Sequence, residues 1–368
     1  MAEPFEAAEV LGEFVGEAGA AAAGDDDIDV AHGVEEGGGV VGTPVGMRNE
    51  VVANAKLGED LFVLETFVCG EYANSFHNTL HAIVRKPDGY YSRLRQGVKP
   101  FLGDEVMKLS FCSIGFQKNK WGKERVIEKP LGDVIGVVSA CGYDGIEIWY
   151  PHYGELDGAG RRAVREQLVA AKLAVPMLSS YYDFTGTAEV CAESLAHGRV
   201  VLADAVELGA KALRMFTGKR GSADATAAQW EQAVGALQQL ADEAGAHGIK
   251  LAFETHSWNL MDTVASAQEL MRRLDRRNVG LILQPSTFKD EYLSACEALA
   301  PISVHVHATN GVEKACALAD GKMSYREILT VLKRKGFEGF VSVEWFGEDP
   351  AGMAKREAVY LRELLKQV

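Results

Sequence analysis

Six polar side chains stand where apolar runs end, and their types are those that hold a divalent cation. Glu254 and His256 close LAFETH, Gln284 closes LILQ, His305 and His307 close VHVH, and Glu344 closes VSVE. Two carboxylates, an amide oxygen and an imidazole suit a hard-to-borderline ion such as Mn, Mg, Co or Zn. Glu147 in GIEIW and, further out, His152 extend the group. A lone Glu at a strand end is usually solvated or paired with a base, and for Glu147 that reading weighs as much as a functional one. For Glu254 and Glu344 it weighs less, because an unpaired charge directly after an apolar run is costly. Alternation sends His305 and His307 to one side. One of them then suits the cation, and the other a hydrogen-bonded place in the core or beside the ligands. His247, just before Gly248, reads as a partner of a helix C-terminal dipole, and His197 as a surface residue. Trp149, Tyr150, Tyr181, Tyr182, Trp258 and Trp345 all follow strands. Singly they are packing residues; together they would floor a pocket for a sugar-sized ring. Arg214 and Lys219 could take a phosphate or carboxylate, with plain solvation an equal reading for Lys219.

The elements that must position these groups begin at Met107. Strand patterns occupy 108–114, 145–149, 174–180, 212–216, 249–254, 279–284, 302–307 and 339–345, and amphipathic helical patterns lie between them, as in RRAVREQLVAAKLA and AAQWEQAVGALQQLADEAGAHG. A helix, a Gly and a return strand recur in SACGYDGIEI, ELGAKALRM, AHGIKLAF and KRKGFEGFVSV, each Gly ending its helix. Eight such units over 107–368 make an α/β fold, a (β/α)8 TIM barrel whose active face lies at the strand C-termini. An open doubly wound sheet is disfavoured, because no G-x-G-x-x-G follows the first strand.

Residues 1–106 read differently. They carry 19 acidic and 7 basic side chains, net −12, against 33 and 31, net −2, for residues 107–368. Residues 1–46, rich in Gly, Ala and Glu, read as disordered. Residues 51–95 suit a small hairpin-like appendage or no structure, with Tyr90-Tyr91 after a Pro-Asp-Gly turn. The extension need not belong to the native functional unit, which would then start at Met107. Neither part has a basic stripe for nucleic acid, and no run of 18 apolar residues spans a membrane. Six scattered cysteines without a C-x-x-C pair, and no signal-like N-terminus, fit a reduced cytoplasmic protein. Oligomeric state stays open, a homo-oligomer included.

Residues 107–368 resemble the xylose-isomerase-like barrel family of sugar phosphate isomerases and epimerases. The likeness rests on GYDGIEIW, GAKALRMFTG, GIKLAFETHSWNLMDT, NVGLILQPSTF, VHVHATNG and GKMSYREILTVLKRKGFEGFVSVEWF in that order. The resemblance implies one divalent metal ion held by Glu254, Gln284, His307 and Glu344. His307, rather than His305, matches the family ligand. His256 matches a rim residue that contacts substrate, and Glu147, Arg214, Trp258 and His305 join it as substrate-side candidates. Where the family has Asp-Pro-x-His, this chain has Gln284-Pro285-Ser286-Thr287, which removes one negative charge and one substrate contact.

The chemistry so implied is proton transfer on a small carbohydrate substrate. The cation polarises a carbonyl, and Glu254 and Glu344 remove and return protons through an enediolate. A sugar isomerase or epimerase is the first reading. A dehydratase or lyase on an inosose, dehydroshikimate or 3-keto-glycoside is the second. A silent binding or scaffold barrel, its metal site decayed at Gln284, is the third, and a three-metal endonuclease lacks its larger histidine cluster.

Overall fold

In a computed structural model the chain divides into two compact units, Met1–Asp104 and Glu105–Val368. The structure describes residues 107–368 except 119, 121–125 and 312–314, together with the backbone of three earlier strands. Those strands, β1 (Asn49–Leu57), β2 (Phe62–Gly70) and β3 (Asn78–Val84), form an antiparallel sheet. Its register runs from Asn49 opposite Gly70 to Leu57 opposite Phe62, and from Phe62 opposite Val84 to Val68 opposite Asn78. The disorder expected of residues 1–46 and the Pro-Asp-Gly turn lie outside the described residues.

The second unit is a closed barrel of eight parallel strands. They are β4 (Lys108–Cys112), β5 (Gly145–Trp149), β6 (Leu178–Ser179), β7 (Ala212–Met215), β8 (Lys250–Glu254), β9 (Val279–Leu283), β10 (Ser303–Ala308) and β11 (Phe340–Val343). The connecting helices include α1 (Leu131–Ala140), α2 (Pro151–Gly154), α3 (Gly158–Ala171), α4 (Ala188–Leu208) and α5 (Ala227–Ala246). After them come α6 (Val264–Leu274), α7 (Tyr292–Leu299), α8 (Tyr325–Arg334) and α9 (Pro350–Leu365). Backbone turns end the helices where the sequence pattern places glycine: φ is +77° at Gly209 and +68° at Gly248, a region open to glycine without strain. Among the described residues no helix is long and apolar enough to cross a membrane, and no cysteine is disulfide-bonded.

Strand alternation sorts the core into two zones. Outward residues such as Leu109, Ile146, Leu213, Leu251, Phe253, Leu281 and Val341 pack with the helices in one large buried cluster, each contributing roughly 1.5–3 kcal/mol. Inward residues Met177, Ala212, Ala252 and Ile282 form a small separate cluster. Two residues further along the same inner faces come Ser179, Arg214, Glu254 and Gln284. The apolar layer is thus a plug beneath a polar layer at the strand C-termini. The β9–β10 pairing slips between Ser303 and His305. There Val304, packed on the inner plug, gives way to His305 and His307, whose rings also reach the interior.

Six strands are shorter than their sequence patterns, β6 and β11 by the most. Of 174–180 Leu178–Ser179 forms the strand and Ala174 an isolated bridge to Gly145, with Pro176, which has no N–H to give, between them. The last strand ends at Val343 rather than Trp345, leaving Glu344 just beyond the ladder.

Candidate active site

The loop after β8 is pinned before it reaches its chemistry. Asn259 Nδ2 donates to the Glu254 carbonyl at 3.0 Å, its Oδ1 accepts from Met261 N at 2.7 Å, and Thr217 Oγ1 accepts from Leu260 N at 2.9 Å. Thr255 Oγ1 accepts the Gln284 backbone N–H at 2.9 Å, and Thr287 Oγ1 donates to the Thr255 carbonyl at 2.9 Å. The ends of β8 and β9 are therefore tied, which sets Gln284 beside Glu254.

Four side chains converge there, all buried: Glu254, Gln284, His307 and Glu344. The end of the Gln284 carboxamide lies 3.2 Å from Glu254 Oε1 and 3.2 Å from Glu344 Oε2. With its nitrogen inward it donates to both carboxylates; with its oxygen inward it adds a third oxygen facing the same point. His307 Nδ1 is 3.7 Å from Glu254 Oε1 and 3.9 Å from Glu344 Oε2, and it has no hydrogen-bond partner. Glu254, His307 and Glu344 offer ligand atoms within 4.8 Å of one another. An orphaned imidazole nitrogen among converging oxygens fits a divalent cation.

The charges of this cluster are interdependent. Burial raises the Glu344 carboxyl, and Glu254 and Glu147 add to it against His307 and Arg214, so that it is pushed up to about 7. Burial also opposes charge on Glu254, yet His307 and Arg214 hold it below the usual carboxylate range. His307 is disfavoured as a cation by burial, but Glu147, Glu344 and Glu254 raise its proton affinity well above that of an ordinary imidazole.

Arg214 is the second feature of the mouth. Its buried guanidinium approaches Glu254 Oε2 at 3.3 Å through Nη1. It sits 4.7 Å from the Tyr181 ring centroid and 5.0 Å from that of Phe216. Tyr181, Phe216 and Trp258 stack in sequence, with centroids 5.6 and 4.9 Å apart. Nε and Nη2 of Arg214 have no partner, although burying unsatisfied donors costs ~1–3 kcal/mol each. His256 packs on Trp258 at 4.5 Å and keeps Nδ1 unpartnered; burial lowers its proton affinity, against the pull of Glu254.

Below the convergence point, Glu147 accepts from Ser179 Oγ at 2.5 Å. It lies 3.1 Å from His305 Nε2 and 3.1 and 3.2 Å from His307 Nε2. Burial raises the Glu147 carboxyl, but His307 and His305 hold it well below the usual range. Burial lowers His305. Cys112 Sγ, 3.2 Å from Ser342 Oγ, lines the same space.

The structure thus brings Glu254, Gln284, His307 and Glu344 together and sets Arg214, His256 and Trp258 beside them. Glu147 and His305 meet each other instead. His152 is buried against Ser113 Oγ at 3.0 Å. His197 is a correction: it is half-buried, bonded to Ser180 Oγ at 2.8 Å and edged by Tyr150, because α4 packs its N-terminal half against the β5 and β6 loops. His247 caps α5, and Lys219 is exposed. Trp149, Tyr182 and Trp345 are buried, Trp149 beside Cys112 and Ile114. Phe216, absent from the sequence-derived group, lies two residues beyond Arg214 on an apolar strand end, where its type alone gave no signal.

A family model described as xylose isomerase-like TIM barrel matches residues 135–364. A curated 3-dehydroshikimate dehydratase of Bacillus anthracis is 26% identical over 283 residues, covering 68% of this chain and 95% of that protein. Among solved structures, the probable 3-DHS dehydratase AsbF of Bacillus anthracis superposes with a TM-score of 0.60 at 23% identity, over 70% of this chain and 99% of that one. An L-ribulose 3-epimerase superposes with a TM-score of 0.61 at 18% identity, over 71% and 95%. At these identities the two structures bear on the fold alone.

Proposed function

The chain belongs to the xylose isomerase-like TIM barrel family, and on that premise we propose that it is a cation-dependent dehydratase of a cyclic polyhydroxy keto acid, of which 3-dehydroshikimate is the type. The observation that carries this reading is Arg214. A guanidinium with two unpartnered nitrogens in a buried, aromatic-walled mouth calls for a planar anion, and a neutral keto-sugar supplies none. The sequence alone favours an isomerase over a lyase. Arg214, together with the name of the curated relative, supports the reverse order.

Glu254, Gln284, His307 and Glu344 would hold the divalent cation, which when bound supplies Lewis acidity at the substrate carbonyl. Arg214 Nε and Nη2 bind the carboxylate, and Tyr181 and Phe216 keep water from the guanidinium. Glu344, whose proton affinity lies near neutrality, takes the proton α to the carbonyl. It then passes that proton to the hydroxyl on the adjacent carbon, which departs as water. The resulting dienone becomes aromatic when a ring CH2 proton moves to the carbonyl oxygen, so one keto acid gives one dihydroxybenzoate and one water. Glu254 stays ionised beside Arg214. His256 meets a substrate hydroxyl through its free ring nitrogen, and Trp258 covers the ring. Glu147 and His305 act beneath the substrate rather than against it.

The test is a panel of 3-dehydroshikimate, keto-hexoses and their phosphates with manganese(II). Growth of an aromatic ultraviolet band from the first alone supports the dehydratase. Deuterium uptake with epimer formation from a keto-hexose, and no aromatic product, would restore the isomerase reading.

A further inference from the structure

Glu147 is a fully buried carboxylate with no Lys or Arg in hydrogen-bond contact. Its donors are Ser179 Oγ, His305 Nε2 and His307 Nε2. A dry carboxylate requires N–H or O–H at each contact, so His307 must keep its proton on Nε2. That leaves Nδ1 as the only nitrogen of His307 able to face Glu254 and Glu344, and it does so without a partner. His305 and Ser179 engage the carboxylate from other directions, so it cannot swing away from His307.

The second part of the argument is charge. Gln284 is neutral where a third acid would complete the ligand set. Glu254 and Glu344 contribute two negative charges, and Arg214, at 3.3 Å from Glu254, offsets one of them. Counting Glu147, the interior holds three carboxylates, offset by the Arg214 guanidinium and by buried Lys120 in the field of Glu344, and stays net negative, as a cation site requires. A carboxylate on the far N–H of a ligating imidazole also raises its donor strength.

We infer that Glu147 is a positioning residue for the cation site. It fixes His307 as the Nε2–H tautomer with Nδ1 turned to Glu254, Gln284 and Glu344, and supplies from behind the negative charge that Gln284 lacks. The inference rests on the proposal that this site takes a divalent cation.

The experiment is calorimetric titration of the full chain with manganese(II) alone, as wild type, Glu147→Gln and Ser110→Ala. Ser110 is buried in the same interior and its hydroxyl has no partner, so its variant reports generic core damage. Glu147→Gln should weaken binding about 10–100-fold, Ser110→Ala should not, and Glu147→Asp should recover part of the loss. Nitrogen-15 NMR of the wild type with excess magnesium(II) should place the His307 proton on Nε2 and none on Nδ1. Wild-type affinity in Glu147→Gln, or a proton on Nδ1 with Nε2 bare, would overturn the inference. If the wild type binds no cation, the proposed function falls. The His307 Nε2 proton still decides the positioning role, present if Glu147 fixes the ring and absent if it does not, and it does so too if Glu147→Gln fails to fold.

Discussion

Replacing Gln284 by Glu changes one atom type at the convergence point and nothing in side-chain length. The carboxamide end is 3.2 Å from an oxygen of Glu254 and 3.2 Å from one of Glu344. Two ionised carboxylates about 4 Å apart repel by ~4 kcal/mol at an effective dielectric constant of 20. Ionising the introduced acid beside Glu254 alone costs slightly more than keeping its proton, and Glu344, half-charged near pH 7, adds to that cost. The acid therefore stays protonated and donates where the amide would. Holding a proton at pH 7 on a group that ionises near 4.3 when unfolded costs ~3.7 kcal/mol. The sign follows from linkage. The folded-state pKa is raised, so stability falls as pH rises from the unfolded value toward the folded one. With EDTA present, Gln284→Glu should therefore melt roughly 7–15 °C below wild type at pH 7, and close to it near pH 4.5. With manganese(II) in excess the extra charge becomes a ligand, and the gap should close or reverse. Superimposable melting curves at pH 7 in EDTA would mean that the three side chains do not converge.

Arg214→Lys keeps a charge but loses the planar fork and its contacts with the Tyr181 and Phe216 rings. KM for a keto acid should rise on the order of 10²-fold while manganese(II) affinity holds within a few-fold, and an unchanged KM would remove the anion site. Glu357 Oε1 accepts the Leu318 N–H at 3.0 Å, Oε2 has no partner, and burial raises the carboxyl. Its raised pKa makes stability fall as pH climbs through the carboxylate range, so Glu357→Gln should flatten that slope and gain on the order of 1 kcal/mol at pH 7; denaturant titrations at several pH values check this. Residues 107–368 expressed alone should keep the barrel's circular dichroism and the cation affinity of the full chain. Loss of either would tie residues 1–106 to the functional unit.

Much of the barrel is legible because both strand faces speak in type. Leu251 and Phe253 alternate with Ala252 and Glu254, so the run names its buried faces and its polar end before any partner is known. The glycines at 142, 209, 248 and 336 announce helix ends by the one backbone region other residues avoid. What alternation does not give is who meets whom across the closed sheet. Glu147 and His305 are 158 residues apart, and their contact depends on the register slip before His305, which pattern reading cannot see. For the same reason Arg214 reads as a generic anion binder: its Tyr181 and Phe216 walls come from two different strand ends. His197 misleads because a histidine on a polar-looking helix face is buried only once the neighbouring loops pack against it.

The most direct test of the central claim is single-turnover conversion of 3-dehydroshikimate by manganese(II)-loaded Glu344→Gln. If Glu344 carries the proton, aromatic product should form about 10²–10⁴-fold more slowly than with wild type, with carboxylate binding at Arg214 intact. Wild-type turnover by the loaded variant would contradict the account.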